Sequence, residues 1–397
     1  MALIERVTIH RRLVPLKRPF VTAVRTAHAV DALVVEVLDG DGRSGWGEAP
    51  TSWRVTGESI PGVTAAVSGP LSEAVVGLPS DEPESASLAL ERAVVRNSSA
   101  RMALDCALFD LAARAAGVPL FRYLGGQVST VRTDMTLSAA VTTSEIDELV
   151  RTATEHVAAG FRTLKVKAGA HGGEAKADDV KTLIEVRRAV GDGVELRVDA
   201  NQGWSPEDAV RIIGALEDSG VGIEFVEQPV HRDDVDGLAF VTERVRTPIM
   251  ADETVWTRRD LREVVNRHAS DLVNIKLAKT GGLREAVELA GLARASEVGV
   301  VVGCMSESHV GIAAAAALAS ALDGYTNAGG TADNARGTAD NSSNPGDPDN
   351  NAATRSHDLD GGLWLTHSPV DGGIEYDGEQ VLLADAPGTG IAGLVAL

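Results

Sequence analysis

Cysteine and long apolar stretches are scarce in this chain of 397 residues. Its two cysteines, Cys106 and Cys304, lie far apart in apolar surroundings, which indicates reduced thiols and argues against a disulfide-stabilised extracellular domain. No stretch is long and uncharged enough to span a membrane, and residues 1–16 lack the apolar core of a signal peptide. We therefore expect a cytoplasmic protein with no membrane partner.

Positive charge is also in short supply. The formal net charge is −20, which argues against nucleic acids and anionic surfaces as partners. With 397 residues, 44% of them hydrophobic, the chain is long enough for about two domains with a large core.

Lysine is the rarer of the two strong bases. Only seven of the 37 basic residues are lysine, and two of these, Lys165 and Lys167, stand one residue apart in FRTLKVKAGA. Arginine stays protonated in proteins, whereas a lysine in a dry, positive environment can lose its proton near neutral pH. Either these lysines extend from a strand end into solvent, or they serve as bases in an active site.

Two regions with different patterns follow one another along the chain. Up to about residue 130, the β-rich segments ALIERVTIHRRLVPL and DALVVEVLDGDGRSGWGEA precede helical sequence from Pro61 to Gly117, which indicates an α+β domain. From 131 to 365, short β-rich segments alternate with amphipathic helices. The eight segments are 133–138, 163–168, 195–200, 223–227, 248–253, 272–276, 299–304 and 355–359. This alternation predicts an α/β protein with a (β/α)8 TIM-type barrel, whose catalytic residues lie at the carboxyl ends of the strands.

Four successive predicted strands end in a charged residue. Asp199, Glu227, Asp252 and Lys276 follow one another at intervals of 28, 25 and 24 residues, each one β/α unit. Three carboxylates converging in a low-dielectric barrel mouth would repel one another unless a cation lay between them. Oxygen ligands that leave positions open for substrate favour Mg²⁺, and no cysteine–histidine cluster supports zinc. The sequence thus predicts a Mg²⁺ site.

Lysines are predicted on two sides of that site. Lys165 and Lys167 end the second strand and Lys276 ends the sixth, and these strands are diametrically opposed in an eight-stranded barrel. Such an arrangement suits removal of a proton from one face of a carbon and its return to the other, through the enediolate formed beside a carboxylate. Like-charge repulsion from Lys165 would lower the pKa of Lys167.

The segments KVKAG, RVDANQGW, EFVEQPV, MADE and NIKLAKTGG resemble the enolase superfamily, specifically its muconate-lactonising-enzyme subgroup. The resemblance covers nearly the whole chain, including PFVTAVRT, GWGEAP and RVTG. It implies an N-terminal α+β capping domain at residues 1–130, completed by about 366–397, over the barrel at 131–365. It also implies one Mg²⁺ per subunit, a Lys base, a small-molecule substrate and a homo-oligomer.

Within this subgroup, SHDLDGGLWL is the segment that distinguishes the reactions. Asp358 and Asp360 resemble the acidic pair of dipeptide epimerases, in which two carboxylates bind the substrate's free α-ammonium, and VEQPVHRDD and VTG add to the likeness, particularly to Ala-Glu epimerases. The resemblance therefore implies inversion of the α-carbon of a dipeptide's C-terminal residue. A simple turn at Asp358, an N-acylamino-acid racemase, a muconate cycloisomerase and a non-catalytic protein with the same fold are the alternatives.

The resemblance also implies further substrate contacts. Arg25 matches an arginine that contacts an acidic second residue, Thr136 and Cys304 match positions lining the dipeptide pocket, and Lys165 matches a lysine that assists binding of the carboxylate. Ser306 matches another pocket position, but that position is commonly apolar in Ala-Glu epimerases, so the preferred dipeptide stays open.

Residues 324–353, GYTNAGGTADNARGTADNSSNPGDPDNNAA, depart from the family pattern. They are rich in Gly, Asn, Asp and Ala, and GTADN occurs twice. Such a composition cannot bury enough apolar surface to become ordered, which predicts a flexible surface insertion. A Ca²⁺ loop is the alternative, but the acids do not follow EF-hand spacing.

Overall fold

An antiparallel sheet and a long buried helix form the N-terminal part of the molecule. The computed structural model describes residues 2–21, 26–139, 143–169, 176–329 and 355–396. The first three strands, which pair antiparallel in chain order, are β1 (Ile4–Val21), β2 (Thr26–Asp39) and β3 (Ser44–Ala49). The helices that follow are α1 (Ile60–Ala66), α2 (Ser72–Val75), α3 (Pro83–Ala93), α4 (Ser98–Ala115) and α5 (Leu120–Tyr123), with a π-helical turn at Val67–Leu71.

Two glycines allow β3 to lie directly against α4. A Cβ atom at Gly45 would come within 2.1 Å of the Ala107 carbonyl oxygen, and one at Gly47 within 2.0 Å of the Ala103 carbonyl oxygen. Any side chain at these positions would push the helix away from the strand. The spacing Gly-Trp-Gly-Glu therefore fixes how the sheet and its central helix pack.

Seven parallel strands form the second sheet, in chain order from β5 to β11, as the alternating pattern predicted. They are β5 (Met135–Leu137), β6 (Thr163–Lys167), β7 (Glu195–Asp199), β8 (Ile223–Glu227), β9 (Ile249–Ala251), β10 (Leu272–Lys276) and β11 (Gly299–Gly303); β4 (Thr130–Arg132) precedes them. The helices around them are α6 (Thr143–Ala158), α7 (Lys176–Val190), α8 (Pro206–Ser219), α9 (Val235–Arg244), α10 (Arg258–Asn266), α11 (Leu277–Thr280), α12 (Leu283–Ala295) and α13 (His309–Gly329). Across the described parts of the chain, no helix is both long and apolar enough to cross a membrane.

The eighth position of the barrel is not a regular strand, which corrects the prediction for residues 355–359. Only His357 and Asp358 bridge the gap, forming isolated parallel bridges to Thr133 and Gly303. Four backbone hydrogen bonds join these two residues to the segments on either side, and two side chains extend the pairing: Val302 N donates to His357 Nδ1 (3.0 Å) and Leu359 N donates to Thr133 Oγ1 (2.8 Å). The ring closes, but partly through side chains, and a 3₁₀ turn (Asp360–Trp364) follows at once.

The C-terminal segment contacts both parts of the molecule. The remaining strands are β12 (Val370–Gly372), β13 (Glu375–Asp377), β14 (Gln380–Leu382) and β15 (Ile391–Leu394). β14 pairs with β4 beside the barrel, whereas Val370 and Ile391 share a buried cluster with Val14 and Val30 of the N-terminal sheet. The predicted domain boundaries at 130 and 366 stay predictions.

The predicted insertion begins later than expected. α13 continues through Gly329, so residues 324–329 are helical rather than part of an irregular segment. The other residues assigned to the insertion, 330–353, lie outside the described residues, and the prediction of flexibility stays untested there.

A buried carboxylate fastens β3 to the barrel. Glu48 is fully buried and accepts hydrogen bonds from the backbone N–H groups of Ser308 and Gly311, both at 3.0 Å, and from Ser308 Oγ at 2.6 Å. These donors lie at the N-terminus of α13, where backbone N–H groups lack helical partners and the helix dipole favours a negative charge.

Replacing Glu48 with Ala should lower the free energy of unfolding by about 2 kcal/mol or more, because several buried donors would lose their acceptor. Urea denaturation followed by circular dichroism would measure this. The exposed Glu73→Ala variant on α2 is the matched control and should unfold like the parent protein. Equal stability of the two variants would show that Glu48 contributes no more than a surface carboxylate.

Candidate active site

Strand register brings the predicted acids and bases of β6, β7 and β8 to one end of the barrel. Lys167 pairs in register with Asp199, and Asp199 pairs with Glu227. Lys167 Nζ lies 2.5 Å from Asp199 Oδ2, and Lys165 Nζ lies 3.6 Å from Glu227 Oε2. Alternation along β6 places Lys165 and Lys167 on the same face of the strand, toward the interior.

The third predicted ligand and the opposing lysine complete this cluster. Asp252 stands one residue beyond β9, and its Oδ2 lies 2.7 Å from Lys276 Nζ. Lys276 Nζ is also 3.8 Å from Glu227 Oε1. Glu227 therefore lies between the lysines of β6 and the lysine of β10, as expected for opposite sides of one site.

Burial and crowding shift the pKa values of these groups. Burial, followed by the charge of Asp199, raises the pKa of Glu227 to about 7. Burial and the charges of Asp252 and Asp199 raise the pKa of Glu253 to about 8. Burial also acts to raise the pKa of Asp252, but the ion pairs with Lys276 and Lys279 outweigh it and lower that pKa. The carboxylates are thus so close to one another that ionising all of them at once is unfavourable.

The buried carboxylate oxygens of this cluster suit a magnesium ion. Glu227 Oε2 and Glu253 Oε2 are buried and accept no hydrogen bond from the residues that the structure describes. Carboxylate oxygens are the ligands that Mg²⁺ prefers, and a divalent cation would relieve the repulsion that raises the pKa values of Glu227 and Glu253. Asp199, Glu227 and Asp252 are the residues that would hold it, and this assignment stays a prediction.

The acidic pair Asp358 and Asp360 lies beside Lys165. Asp358 Oδ1 is 2.6 Å from Lys165 Nζ. Asp360 Oδ2 accepts hydrogen bonds from Thr136 N (2.6 Å) and Trp364 Nε1 (3.1 Å), while Asp360 Oδ1 is buried and accepts none from the described residues. The site thus contains a negatively charged corner with an acceptor that is not satisfied by the protein.

Thr136 and Cys304, predicted to line the pocket, also lie at this corner. Thr136 pairs in register with Lys165, and Cys304 N donates to the carbonyl oxygen of Asp358 (2.9 Å). Burial, together with Asp358, raises the pKa of the Cys304 thiol well above its ordinary value, so the thiol is unreactive. Ser306 is half-buried two residues further on. Arg25 lies outside the described residues, and its predicted role stays a prediction.

The sequence prediction missed several buried polar residues under the site. A carboxylate oxygen of Asp134 lies within 4.8 Å of carboxylate oxygens of Asp358 and Asp360. Arg197, fully buried, pairs with Asp134 (2.9 Å) and Glu224 (2.6 Å). Asn274 Nδ2 donates to Glu227 Oε1 (2.8 Å). Asp134, Arg197 and Asn274 lie two residues before Thr136, Asp199 and Lys276, and this period-two spacing was the signal available for finding them.

A ring of parallel strands whose carboxyl ends carry paired acids and lysines defines a (β/α)8-barrel enzyme. Residues 4–125 match the family model for the mandelate racemase/muconate lactonizing enzyme N-terminal domain, and residues 148–393 match the enolase C-terminal domain-like model. The chain therefore belongs to the mandelate racemase/muconate lactonizing enzyme family of the enolase superfamily, which confirms the resemblance seen in its motifs.

Full-length relatives are known. The chain is 35% identical over 392 residues to the L-Ala-D/L-Glu epimerase of Clostridium acetobutylicum, covering 99% of each protein. It matches the substrate-liganded structure of the L-Ala-D/L-Glu epimerase from Bacillus subtilis with a TM-score of 0.88 and 36% identity, covering 99% of this chain and 100% of that one. A dipeptide epimerase from Enterococcus faecalis, solved with Mg and L-Leu-L-Tyr, matches with a TM-score of 0.84 and 32% identity, covering 98% and 99%.

These relatives are epimerases, which are isomerases. Because the match extends over the whole chain and the barrel end holds the expected acids and lysines, the protein is an isomerase of the racemase and epimerase class.

Mg²⁺ should raise the stability of the protein, by about 2.7 kcal/mol at a concentration about 100 times its Kd. Glu227→Gln, which removes the buried carboxylate between the lysines, should lose most of this increase. Thermal unfolding with Mg²⁺ and with a chelator would measure both. The exposed Glu243→Gln variant on α9 is the control and should respond like the parent protein. An equal Mg²⁺ response in Glu227→Gln would remove Glu227 from the metal site.

Proposed function

We propose that the protein is a Mg²⁺-dependent dipeptide epimerase that inverts the α-carbon of a dipeptide's C-terminal residue. The carrying observation is the buried carboxylate pair Asp358 and Asp360 beside Lys165, in a chain similar over its full length to dipeptide epimerases. Their position suits a substrate with a free ammonium at one end and a carboxylate at the other.

The ammonium end is supported by charge and hydrogen bonding. Asp360 Oδ1 has no partner among the described residues, and Asp134, Asp358 and Asp360 crowd their carboxylates together. Burial, followed by repulsion from Asp358, raises the pKa of Asp360 to about 6. An α-ammonium carries three donors and a positive charge, so it would satisfy the free acceptor and reduce the repulsion. N-acylamino acids and muconate carry no such cation.

The proton transfers are assigned to the two opposed lysines. β6 and β10 are separated by three strands, which places Lys167 and Lys276 on opposite sides of Glu227. A neutral Lys167 would take the α-proton from one face of the substrate, and a protonated Lys276 would deliver a proton to the other face of the enediolate; the reverse reaction exchanges their roles. Lys165 would contact the substrate carboxylate. Mg²⁺, one ion per subunit, held by Asp199, Glu227 and Asp252, would supply electrostatic stabilisation of the developing negative charge.

The substrate class is proposed from the relatives. The enzymes from C. acetobutylicum and B. subtilis are named for L-Ala-D/L-Glu dipeptides. We place an Ala-Glu-like dipeptide first, with Arg25 as the partner of an acidic side chain and Cys304 and Ser306 lining the pocket. A homo-oligomer in the cytoplasm also belongs to this proposal.

The test is α-proton exchange in D₂O. The protein is incubated with Mg²⁺ and a panel of L,L-dipeptides led by Ala-Glu, and NMR follows the C-terminal residue's α-proton. Loss of that signal with appearance of the L,D-diastereomer is expected. Turnover of N-acylamino acids or muconate instead, with no exchange on any dipeptide, would replace the proposal with one of those reactions.

Lys167→Ala should lose epimerisation by several orders of magnitude, because one face of the α-carbon loses its base, while Mg²⁺ binding persists. The same NMR assay and a Mg²⁺ titration would measure the two properties. The exposed Arg188→Ala variant on α7 serves as the control for loss of a surface cation. Full epimerase activity in Lys167→Ala would overturn the two-base mechanism.

Asp358→Asn should raise KM for dipeptides by about tenfold or more, since a hydrogen bond to a charged group is worth about 1.5–3 kcal/mol. Steady-state kinetics across the dipeptide panel would measure this. Asp371→Asn, exposed on β12, is the matched control. An unchanged KM would mean that Asp358 serves the local turn and its ion pair rather than the substrate's ammonium.

A further inference from the structure

Lys279 is a fully buried lysine that the proposed reaction does not use. It lies on the one-turn helix α11, directly after β10, and its side chain has no exposed surface. Its Nζ contacts three oxygens: the Asp252 carbonyl (2.5 Å), the Asn274 carbonyl (2.8 Å) and Asp252 Oδ1 (2.7 Å). The two contacts to backbone carbonyls are hydrogen bonds, and the contact to Asp252 Oδ1 is an ion pair.

The position of these contacts gives Lys279 a structural task at the barrel end. β9 pairs with β10 only through Leu272 with Met250 and Val273 with Ala251. Backbone pairing has therefore stopped before Asp252. Beyond that point the Lys279 ammonium joins the Asp252 carbonyl to the Asn274 carbonyl, taking over the link between the two strands.

Asp252 contacts two lysines that are held in different ways. Lys276 Nζ reaches Asp252 Oδ2 at 2.7 Å, and its other acidic neighbours, Glu227 and Asp358, are 3.8 and 4.0 Å away. Lys279 is instead held by two backbone carbonyls as well as by the carboxylate. A cation arriving at Asp252 can displace Lys276 by breaking one close contact, whereas Lys279 keeps its backbone contacts.

We propose that Lys279 is a positioning residue that holds Asp252 in place for the metal ion, and that the metal ion, on binding, displaces Lys276 but not Lys279 from this carboxylate. The inference rests on the proposed role of Asp252 as a metal ligand. Loss of Lys279 should therefore weaken metal binding and loss of Lys276 should not, although both lysines carry the same charge near the same carboxylate. A purely electrostatic role would give both the same effect, because removing either cation would favour a metal ion.

The experiment is calorimetric titration of Mg²⁺ into the full-length protein and its variants. Lys279→Met should weaken Mg²⁺ binding by about tenfold or more, the usual effect of removing a group that orients a metal ligand. Lys276→Met should bind Mg²⁺ as tightly as the parent protein or more tightly. Lys181→Met, exposed on α7, is the control for loss of a distant lysine and should bind normally.

Thermal unfolding separates positioning from a general loss of stability. If Lys279 only supports the fold, Lys279→Met lowers Tm but keeps the full Mg²⁺-induced increase in Tm. If it positions Asp252, that increase shrinks as well. Lys279→Gln retains N–H donors and should recover part of the Mg²⁺ affinity; it also provides a second variant if Lys279→Met does not fold.

Labelling of the unmodified protein gives an independent result. Reductive methylation with peptide mass spectrometry should leave Lys279 unmodified with and without Mg²⁺, while Mg²⁺ increases modification of Lys276. Mg²⁺ binding by Lys279→Met at parental affinity, or modification of Lys279 when Mg²⁺ is added, would overturn the inference. Absence of Mg²⁺ binding by the parent protein would instead overturn the proposed function.

Discussion

The burial of Glu227 between Lys165 and Lys276 is the constraint on which the barrel mouth depends. A carboxylate withdrawn from water needs nearby positive charge, and here it comes from strands on both sides of the ring. Each of these lysines is in turn paired with another acid, Asp358 or Asp252. The site is therefore a connected set of charges in which removal of one member changes the balance of charge around several others.

The same use of buried carboxylates joins the N-terminal domain to the barrel. Glu48 meets the N-terminus of α13, and Asp105 on α4 meets the N-terminus of α12, accepting from Leu283 N (2.5 Å) and Arg284 N (3.4 Å). Both contacts place a negative charge where a helix has free N–H groups and the positive end of its dipole. Glu48 and Asp105 of the N-terminal domain thus hold the barrel helices α13 and α12 at their N-termini.

Much of this arrangement could be predicted from sequence because strands end at regular intervals. The parallel strands from β5 to β11 and the convergence of Asp199, Glu227, Asp252 and the lysines follow from that rhythm. The eighth strand was predicted wrongly as regular, because the pattern of RSHDL does not reveal that the His357 and Thr133 side chains take the place of backbone partners.

Other residues could not be placed from strand ends alone. Lys279 lies on the helix α11, and its role depends on its side chain reaching Asp252, just beyond the end of β9. Asp134 and Arg197 could be placed inside the barrel by alternation, but their ion pair spans 63 residues, and no local pattern pairs them. Long-range pairing of polar groups is set by the closed ring rather than by nearby sequence.

The incomplete eighth strand makes that position the seam of the barrel. Two bridging residues hold it through four backbone and two side-chain hydrogen bonds, whereas the β6–β7 and β10–β11 pairs each match five residues in register. Segments with few backbone hydrogen bonds open locally at a lower free energy than long paired strands, so we expect this seam to open more readily than the β6–β7 and β10–β11 pairs. Asp358 and Asp360 stand directly on it, whereas the metal-ligand candidates Asp199 and Glu227 end the regular strands β7 and β8. The acidic pair proposed to bind the substrate's ammonium is thus built on the irregular position of the ring, and two of the metal-ligand candidates on regular strands.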